Sequence, residues 1–398
     1  MIPPLNGLQV VEGSAFVAAP SGGMTLAQLG ADVVRFDQIG GGIDARRWPL
    51  SAEGASFYWA GLNKGKKSIA ADLRSPRAQE ILSELIRAAG TFLTNFPAED
   101  WLSYDALSAG REDLVMLAIT GNRDGSTAVD YTVNCSVGYP LVTGPVDREE
   151  PVNHVLPAWD LICGQTAAIG ILAADNNRLR VGVGANMTLA LSDVAIAAAA
   201  ALGHVGEAQI NGTERGRFGN DVYGAFGAEF PTSDGERIYA VGVSAKQWHS
   251  LVEATGAVTE VAAVEAAGGY DFDDEGDRFR ARVELRAAIS PWIAARPLAR
   301  VAERFDELGV CWGRYQSFTQ MVEEDPRCST ESELFREVDQ PGIGTYLSPG
   351  SPLAFAGLLP VEPTAAPRLG EHTEEILAER LGMSTAEIGT LHDDGVVA

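Results

Sequence analysis

Apolar residues near the start of the chain recur first with strand spacing and then with helical spacing. Leu8–Glu12 reads as a short buried strand, Ser21–Leu29 as a helix, and Ala31–Asp37 as a second strand. This order within a short segment predicts a parallel βαβ unit with a right-handed crossover. The loop 13–20 between them consists mostly of small residues and lacks the GxGxxG pattern of a dinucleotide-binding turn. Its small side chains would let either a ligand or a neighbouring element approach the backbone.

The alternation of strands and helices continues beyond this unit. The pattern predicts strands at Ser68–Asp72, Thr91–Asn95 and Leu114–Thr120, helices at Pro76–Ala89 and Asp160–Ala174, and a strand or helix start at Asn186–Ser192. Such alternation is typical of an α/β fold with a mostly parallel sheet.

The composition changes near Gly203, and a second, smaller α+β domain is expected from there. Residues 204–227 are polar and rich in glycine, Arg237–Val243 reads as a strand, and helices with acidic faces follow to about residue 310. We therefore expect a large domain over 1–200, a small domain over 201–320, and a segment 321–398 that returns to the large domain. Near its end, Ser384 and Glu387 fit a capping box.

Charge is distributed unevenly along the 398 residues. The chain has 54 acidic and 30 basic side chains and a net charge of −24, yet its first hundred residues have ten acids and nine bases. Such acidity argues against nucleic acid or an anionic membrane surface as a partner. Three of the four lysines, Lys64, Lys66 and Lys67, share one turn. That turn either presents them to an anion or is a solvated loop.

Cysteine and histidine give no sign of a metal site. The four cysteines are far apart, and the five histidines lack paired spacing, as in HExxH. No secretory signal opens the chain, and the apolar run Val194–Gly203 is too short to span a bilayer. We expect a cytoplasmic protein with no bound metal.

One carboxylate stands out because of its context. Asp160 follows the proline loop His154–Ala158 and immediately precedes a long apolar helical run. Aspartate is a favoured N-cap residue, so a purely structural role fits this position. A helix N-terminus also favours the ionised form of a carboxylate, which can act as a nucleophile and form a covalent intermediate. The residues alone allow both roles.

The chain resembles the family III CoA-transferases (CaiB/BaiF type), which include formyl-CoA transferases, carnitine CoA-transferases and α-methylacyl-CoA racemases. The resemblance runs nearly end to end. It rests on Phe16–Pro20, Leu29–Val33, Asn63–Ser68, Thr94–Phe96, Asp160 ahead of Gly170–Ala174, and Leu369–Thr373. It implies a Rossmann-like large domain made from the N-terminal half and the C-terminal segment, a small inserted domain, and a homodimer of interlocked chains.

The same resemblance assigns roles to individual residues. It implies that Asp160 is the catalytic aspartate, that Phe16, Val17 and Ala18 line the CoA pocket, and that Lys64, Lys67, Asn95 and Phe96 surround its adenine and phosphates. This chain has Gln38 where some members have an arginine, and Arg46 or Arg47 could replace that contact. For the free carboxylate of a substrate, Arg46, Arg47, Arg215 and Arg217 are candidates by charge alone.

A narrower likeness points to members that move CoA between the two carboxyl groups of mesaconate. It rests on Val11–Val17, Asp130–Asn134, His154–Asp160 and Tyr223–Gly227, and we count Asp130 and Tyr131 among the substrate-binding residues. It implies conversion of 2-methylfumaryl-CoA (mesaconyl-C1-CoA) into 3-methylfumaryl-CoA (mesaconyl-C4-CoA) through an aspartyl anhydride and an aspartyl-CoA thioester. CoA would be part of the substrate, with no permanently bound cofactor.

Three alternatives remain open at this point. The first is CoA transfer between an acyl-CoA and a separate dicarboxylic acid. The second is racemisation of a 2-methylacyl-CoA, although 127–130 lacks the histidine that racemases of the family carry and only His154 is near. The third is an acyl-CoA-binding or scaffold protein without catalytic activity.

Overall fold

A computed structural model describes residues 2–212, 214–358 and 361–398. The strands are β1 (Gln9–Gly13), β2 (Asp32–Gln38), β3 (Lys67–Ala71), β4 (Thr91–Thr94), β5 (Val115–Thr120), β6 (Ala185–Ala190), β7 (Phe226–Pro231), β8 (Arg237–Gly242), β9 (Cys311–Arg314), β10 (Phe335–Gln340) and β11 (Gly344–Pro349). The first six form one sheet in the order β3-β2-β1-β4-β5-β6, and every neighbouring pair is parallel. This is the strand order of a Rossmann-type sheet, which confirms the predicted α/β class.

The helices are α1 (Ala18–Gln28), α2 (Phe57–Leu62), α3 (Pro76–Ala89), α4 (Tyr104–Ser108), α5 (Asp130–Cys135), α6 (Tyr139–Val142), α7 (Ala158–Val181), α8 (Leu191–Ala201), α9 (His204–Asn211), α10 (Ala245–Thr255), α11 (Val258–Gly268), α12 (Glu275–Arg280), α13 (Arg282–Ala294), α14 (Leu298–Glu307), α15 (Phe318–Glu324), α16 (Thr373–Leu381) and α17 (Thr385–Asp393). Within the described ranges, none of them is both long and apolar enough to cross a membrane.

Local sequence signals fix the bounds of α3, which match the prediction. The Ser75 hydroxyl accepts a hydrogen bond from the Ala78 N–H, Pro76 occupies the first turn, and Gly90 ends the helix in the left-handed conformation. Ile81 and Leu85 are among the side chains that α3 buries against the sheet. Burial of each such side chain contributes about 1.5–3 kcal/mol.

Helices α1 and α7 cross at a contact between glycines. A Cβ atom on Gly164 would lie 2.6 Å from the Ala18 carbonyl oxygen, and one on Gly22 would lie 2.9 Å from the Gly164 carbonyl oxygen. The small residues of the first loop and helix therefore serve helix packing here. The predicted start of α1 at Ser21 was late, because the helix already begins at Ala18.

The last part of the chain packs on the β3 edge of the sheet. The Asp72 N–H donates to the Val396 carbonyl oxygen, and the Ala398 N–H donates to the Ala70 carbonyl oxygen. Val397 forms an antiparallel bridge with Ala71. The Ser384 capping box at the start of α17 is present as predicted.

The chain divides into two compact units. The first comprises residues 1–137, 154–212 and 325–398, and the second comprises residues 138–153 and 213–324. The second unit has an antiparallel sheet in the order β7-β8-β9, with helices α10, α11, α13 and α14 supplying its core together with the sheet. The division into domains at residues 200 and 320 stays a prediction.

Candidate active site

The candidate site lies where the strand order of the parallel sheet reverses. β1 stands between β2 and β4, so the crossovers on its two sides run in opposite directions. In open α/β sheets, the carboxyl ends of strands at this point form a crevice that binds ligands. Asn95, directly after β4, joins the two strand ends: its Oδ1 accepts from the Ala15 N–H at 2.8 Å, and its Nδ2 donates to the Ala15 carbonyl oxygen at 2.7 Å.

A cavity of about 320 Å³ opens at these strand ends. This volume lies at the lower end of the range for small-molecule sites. The lining residues come from the segments after β1, β2 and β4, from the end of β5 and the residues that follow it, and from the starts of α5, α7 and α8: Phe16, Val17, Ala18, Arg47, Tyr58, Asn95, Ile119, Thr120, Gly121, Thr127, Ala128, Val129, Asp130, Tyr131, Pro157, Asp160 and Leu191.

Asp160 lies in the first turn of α7 and faces this cavity. Its backbone N–H has a partner, but no donor in the described part of the chain gives a hydrogen bond to its carboxylate. Burial, and after it the nearby Asp130 carboxylate, raise the pKa of Asp160 to about 7, against the opposing effect of the Arg47 guanidinium. The carboxylate is therefore partly desolvated and exchanges a proton near neutral pH.

Asp130, which comes from α5, caps α7. Its Oδ2 accepts hydrogen bonds from the N–H groups of Trp159 (2.7 Å) and Asp160 (3.0 Å). Its Oδ1 lies 2.8 Å from His154 Nε2, and its side chain is almost fully buried. The structural interpretation of Asp160 as the N-cap is therefore wrong: Pro157 occupies that position and Asp130 supplies the acceptor. Asp160 is left available for chemistry.

His154 belongs to the support of the site. Its ring contacts the rings of Tyr131 and Trp159 at centroid distances of 6.3 Å each, and its Nε2 faces Asp130. It does not line the cavity. This position gives no support for a second base opposite Asp160, which racemisation would need.

Arg47 lies close to two aromatic rings at the cavity wall. Its guanidinium carbon is 4.6 Å from the centroid of the Tyr58 ring and 5.8 Å from that of the Phe16 ring. Sequence reasoning missed Tyr58, whose only signal was the aromatic run Phe57-Tyr58-Trp59. Burial raises the pKa of Tyr58 to about 12, so its phenol stays protonated at neutral pH.

Phe16 adopts an unusual backbone conformation beside the cavity. Its φ of 66° lies in the left-handed region, which is rare for a residue with a bulky side chain. The Phe16 N–H donates to Asp44 Oδ1 at 2.9 Å, and Asp44 Oδ2 pairs with Arg35 at 3.0 Å. Arg35 is itself buried and also binds Asp37 through both carboxylate oxygens. A buried ionic network thus holds the strained residue in place.

Lys66, in the predicted anion-binding turn, is part of the same network. Its Nζ donates to Glu12 Oε1 (2.9 Å), to the Pro20 carbonyl oxygen (2.8 Å) and to Asn63 Oδ1 (2.9 Å). Burial lowers the pKa of Lys66 to about 8, although the Glu12 carboxylate opposes this. Neither sequence interpretation of the turn holds for Lys66, because it is neither solvated nor directed outwards.

The other two lysines of the turn also have protein partners. Lys64 is buried, donates to the Gly61 carbonyl oxygen at 2.7 Å, and has a pKa that burial lowers to about 8. Lys67 Nζ lies 2.6 Å from the Glu375 carboxylate. Neither residue lines the cavity, and their contacts with CoA stay predictions.

The structure brings together eight of the fourteen candidate residues named from the sequence. The cavity is lined by Phe16, Val17, Ala18, Arg47, Asn95, Asp130, Tyr131 and Asp160. The remaining six, Arg46, Lys64, Lys67, Phe96, Arg215 and Arg217, lie outside its lining. Arg46 is exposed and donates to the Gly40 carbonyl oxygen, and the Phe96 ring packs on Phe36 at a centroid distance of 6.0 Å.

In the described ranges, no group of three or more His, Cys, Asp or Glu side chains could hold a metal ion. The features of the site are instead a partly desolvated carboxylate, a cation stacked on aromatic rings, and the N-termini of α1 and α7. Such N-termini favour negative charge, since their first N–H groups have no partner within the helix. The arrangement can support attack by a carboxylate on an acyl carbon and stabilise the oxyanion that forms.

Comparison with known proteins agrees with this fold. The sequence model of CoA-transferase family III matches residues 5–373, and the chain belongs to this family of enzymes. A CaiB/BaiF family protein from Brucella suis, with 25% sequence identity, has the same fold: the TM-score is 0.78, with 96% of this chain and 100% of that chain covered. The family resemblance found in the sequence is thereby confirmed, and a scaffold protein without catalytic activity is excluded.

Individual relatives are similar over almost their full length. The 2-methylfumaryl-CoA isomerase of Chloroflexus aurantiacus is 55% identical over 401 residues, covering 99% of this chain and 98% of the relative. The succinyl-CoA–D-citramalate CoA-transferase of the same organism is 26% identical over 406 residues, again covering 99% and 98%. The sequence identity to the isomerase is therefore about twice the identity to the D-citramalate CoA-transferase.

Proposed function

We propose that this enzyme moves CoA from one carboxyl group of mesaconate to the other, converting 2-methylfumaryl-CoA into 3-methylfumaryl-CoA. The observation that carries the chemistry is the Asp160 carboxylate, which faces the cavity and accepts no hydrogen bond from the described residues. The other lining carboxylate, Asp130, is engaged by two backbone N–H groups and His154. The choice of substrate is supported by the 55% identity to the Chloroflexus isomerase.

The first half of the reaction transfers CoA to the enzyme. An oxygen of the Asp160 carboxylate attacks C1 of mesaconyl-C1-CoA, the carbon–sulfur bond breaks, and CoA thiolate leaves. A mixed anhydride of Asp160 and mesaconate remains. The thiolate then attacks the Asp160 carbonyl carbon, which gives an aspartyl-CoA thioester and mesaconate as the dianion.

The second half repeats these steps in reverse on the other end of mesaconate. Its C4 carboxylate attacks the aspartyl thioester and releases thiolate, and the thiolate attacks C4 of the new anhydride. Mesaconyl-C4-CoA forms and the Asp160 carboxylate is regenerated, with no net transfer of protons. Retention of mesaconate in the cavity makes the second attack effectively intramolecular, which is worth several kcal/mol.

The protein stabilises these steps by fixed charges and dipoles. Each attack places negative charge on an acyl oxygen, close to Val17 and Ala18 at the start of α1 and to the first turn of α7. Helix α1 directs its positive end toward that charge, whereas the N–H groups of Trp159 and Asp160 in α7 already bind Asp130. Asp130 keeps the first turn of α7 in place, so we regard it as a positioning residue.

We further propose that two copies of the chain form an interlocked homodimer, which works in the cytoplasm without a permanently bound cofactor. The dimer is supported by large apolar side chains that α7, α8 and α9 leave exposed in the single chain: Ile169, Leu179, Ile196, Leu202 and Ile210. Sedimentation analysis tests it, because a monomer at micromolar concentration would contradict the proposal.

Incubation with mesaconyl-C1-CoA and chromatography of the products tests the reaction. We expect the C4 isomer from the native enzyme, no product from Asp160→Ala, and normal activity from Asp175→Asn, a matched change near the far end of α7. Hydroxylamine should convert Asp160 to its hydroxamate during turnover. Substantial activity of Asp160→Ala would refute the mechanism.

Labelled free mesaconate separates this reaction from transfer between molecules. Such transfer is the second candidate, because a relative with 26% identity carries the name of an intermolecular CoA-transferase. An isomerase that retains its mesaconate exchanges little label into the product. Rapid incorporation of label would favour the intermolecular reaction.

A further inference from the structure

Arg47 is the only basic residue among the described residues that line the cavity. Its side chain is half-buried and lies close to the rings of Tyr58 and Phe16. A guanidinium held against aromatic faces keeps its edge free to donate hydrogen bonds. Arg47 is therefore placed as a fixed cation within the cavity that contains Asp160.

The main chain of Arg47 is anchored, whereas its guanidinium contacts aromatic rings and acts on Asp160 only through its charge. The Arg47 N–H donates to the Asp44 carbonyl oxygen at 3.3 Å, and its carbonyl oxygen accepts from Ser56 Oγ at 2.6 Å. Among the described residues, no acceptor takes a hydrogen bond from its side chain and no carboxylate forms an ion pair with it. A half-buried guanidinium of this kind is prepared for an external anion with planar geometry.

We propose that Arg47 binds the free carboxylate of the bound dicarboxylyl-CoA and so makes the site specific for acyl groups with a second carboxylate. This inference rests on the proposed function and extends it to the selection of the substrate. One cation serves both halves of the reaction: while one carboxyl group of mesaconate reacts with Asp160, the other binds Arg47. When mesaconate reverses its orientation in the cavity, its two carboxyl groups exchange places between Asp160 and Arg47.

The other candidate arginines have different surroundings. Arg46 is exposed and donates to the Gly40 carbonyl oxygen. Arg217 donates to carbonyl oxygens of the segment 140–150 within the second unit, and the Arg215 guanidinium lies 3.9 Å from the Tyr223 ring centroid. Arg47 also shares its cavity with the nucleophile, whereas the phosphates of CoA lie at the far end of the pantetheine arm. Its location therefore favours the acyl carboxylate over a phosphate.

Binding measurements with three ligands test the proposal without relying on turnover. The protein is the full chain carrying Asp160→Ala, with and without Arg47→Met, and the ligands are mesaconyl-C1-CoA, (E)-2-methylbut-2-enoyl-CoA and free CoA. The second ligand has a methyl group in place of the free carboxylate. The comparison isolates the coupling between Arg47 and that carboxylate.

We expect Arg47→Met to weaken binding of mesaconyl-C1-CoA roughly 10- to 100-fold, as loss of a charge-assisted hydrogen-bonded pair predicts. Binding of the other two ligands should change less than about threefold, which also shows that the variant is folded. Arg47→Lys should recover part of the loss, since it restores the charge but not the planar fork. Arg77→Met, which removes an exposed arginine paired with Glu80, is the control and should leave all three affinities unchanged.

Equal weakening of all three ligands, or no change for mesaconyl-C1-CoA, would overturn the assignment. The isomerisation assay with the native enzyme is read separately. Failure of that assay together with the expected binding pattern would reject the proposed reaction and leave Arg47 as the carboxylate-binding residue.

Discussion

Replacement of Asp160 by asparagine should stabilise the folded enzyme at alkaline pH while it removes activity. Asparagine has nearly the same shape as a protonated aspartate but carries no charge that burial would penalise. Burial, then the neighbouring Asp130 carboxylate, raise the pKa of Asp160 from its ordinary value of 3.8 to about 7. Ionisation of this carboxylate therefore lowers the stability of the native protein.

The direction and size of this change in folding stability with pH follow from proton linkage. Between pH 3.8 and about pH 7 the folded state keeps the proton of Asp160 and the unfolded state has lost it, so native stability falls as pH rises through this window. From pH 5.5 to pH 7 the loss is about 2 kcal/mol, at about 1.36 kcal/mol per pH unit. Water that enters the cavity screens the charge, so we expect about 1–2 kcal/mol.

Urea unfolding of the native enzyme and of Asp160→Asn at several pH values between about 5.5 and 8.5 measures this effect. The advantage of the variant should grow with pH by the stated amount and level off above about pH 7. Glu53→Gln, a change at an exposed turn of the same unit, is the control. A difference between Asp160→Asn and the native enzyme that stays constant across this range would refute the argument that Asp160 is desolvated.

Three further predictions concern the ionisation of the nucleophile and the elements that hold the site. The value of kcat/KM for mesaconyl-C1-CoA should rise about tenfold per pH unit below about pH 7 and then level off. The reason is that the ionised form of Asp160 attacks and that burial raises the pKa of this residue to about 7. A flat pH profile would contradict this. Lys66→Met should lower the free energy of unfolding by about 3 kcal/mol, since it leaves the buried Glu12 carboxylate with the Ser14 hydroxyl and, as its only cation among the described residues, Arg35 at a longer distance. A loss below about 1 kcal/mol in urea unfolding would contradict it. Gly164→Ala should lower the free energy of unfolding by about 1–3 kcal/mol and should also lower kcat, because its Cβ would lie 2.6 Å from the Ala18 carbonyl oxygen and displace α7. Normal stability and kcat would contradict this, since they would show that α1 and α7 can move apart without loss.

Matched changes sharpen two of these tests. Lys67→Met removes a partly exposed lysine of the same turn, whose pairing with Glu375 is accessible to solvent, and should cost less than about 1 kcal/mol. Gly206→Ala adds a Cβ within α9 where nothing lies within 4 Å, and should leave kcat unchanged.

Elements of the fold that depend on local signals could be predicted from the sequence. Both ends of α3 follow from Ser75, Pro76 and Gly90, and the structure has the predicted bounds. The first five strands of the large sheet begin and end within about one residue of their predicted positions, because buried parallel strands are continuous apolar runs. The segment Asn186–Ser192, predicted as a strand or helix start, contains most of β6, which is only partly buried and ends at Ala190.

Elements fixed by tertiary contacts were predicted less well. Helix α1 begins at Ala18 rather than at the predicted Ser21, and it contains two consecutive glycines, Gly22 and Gly23, that have low helix propensity. Gly22 is required by the approach of α7, and Gly23 by the Glu12 side chain, whose Oε2 would lie 1.7 Å from a Cβ there. Helix α7 extends to Val181. The prediction ended it at Ala174 because its last two turns are largely polar and exposed and lack the apolar pattern of the earlier turns.

The candidate site shows the same division between local and distant contacts. Asp160 could be singled out from its position at a helix start, but its cap, Asp130, lies 30 positions earlier in the chain and belongs to another helix. The partner of Lys66 is 54 positions away. Charge alone therefore could not distinguish a buried structural lysine from one that binds a phosphate.

The pairing of β3 with residues 396–398 has a consequence for the synthesis of the protein. The two partners are separated by about 325 positions, which a ribosome takes roughly 15–60 s to translate. During this interval one edge of the parallel sheet has no partner, and an unpaired edge is a template for association with other chains. Slow translation, rather than low stability of the finished enzyme, should therefore increase its loss to aggregation.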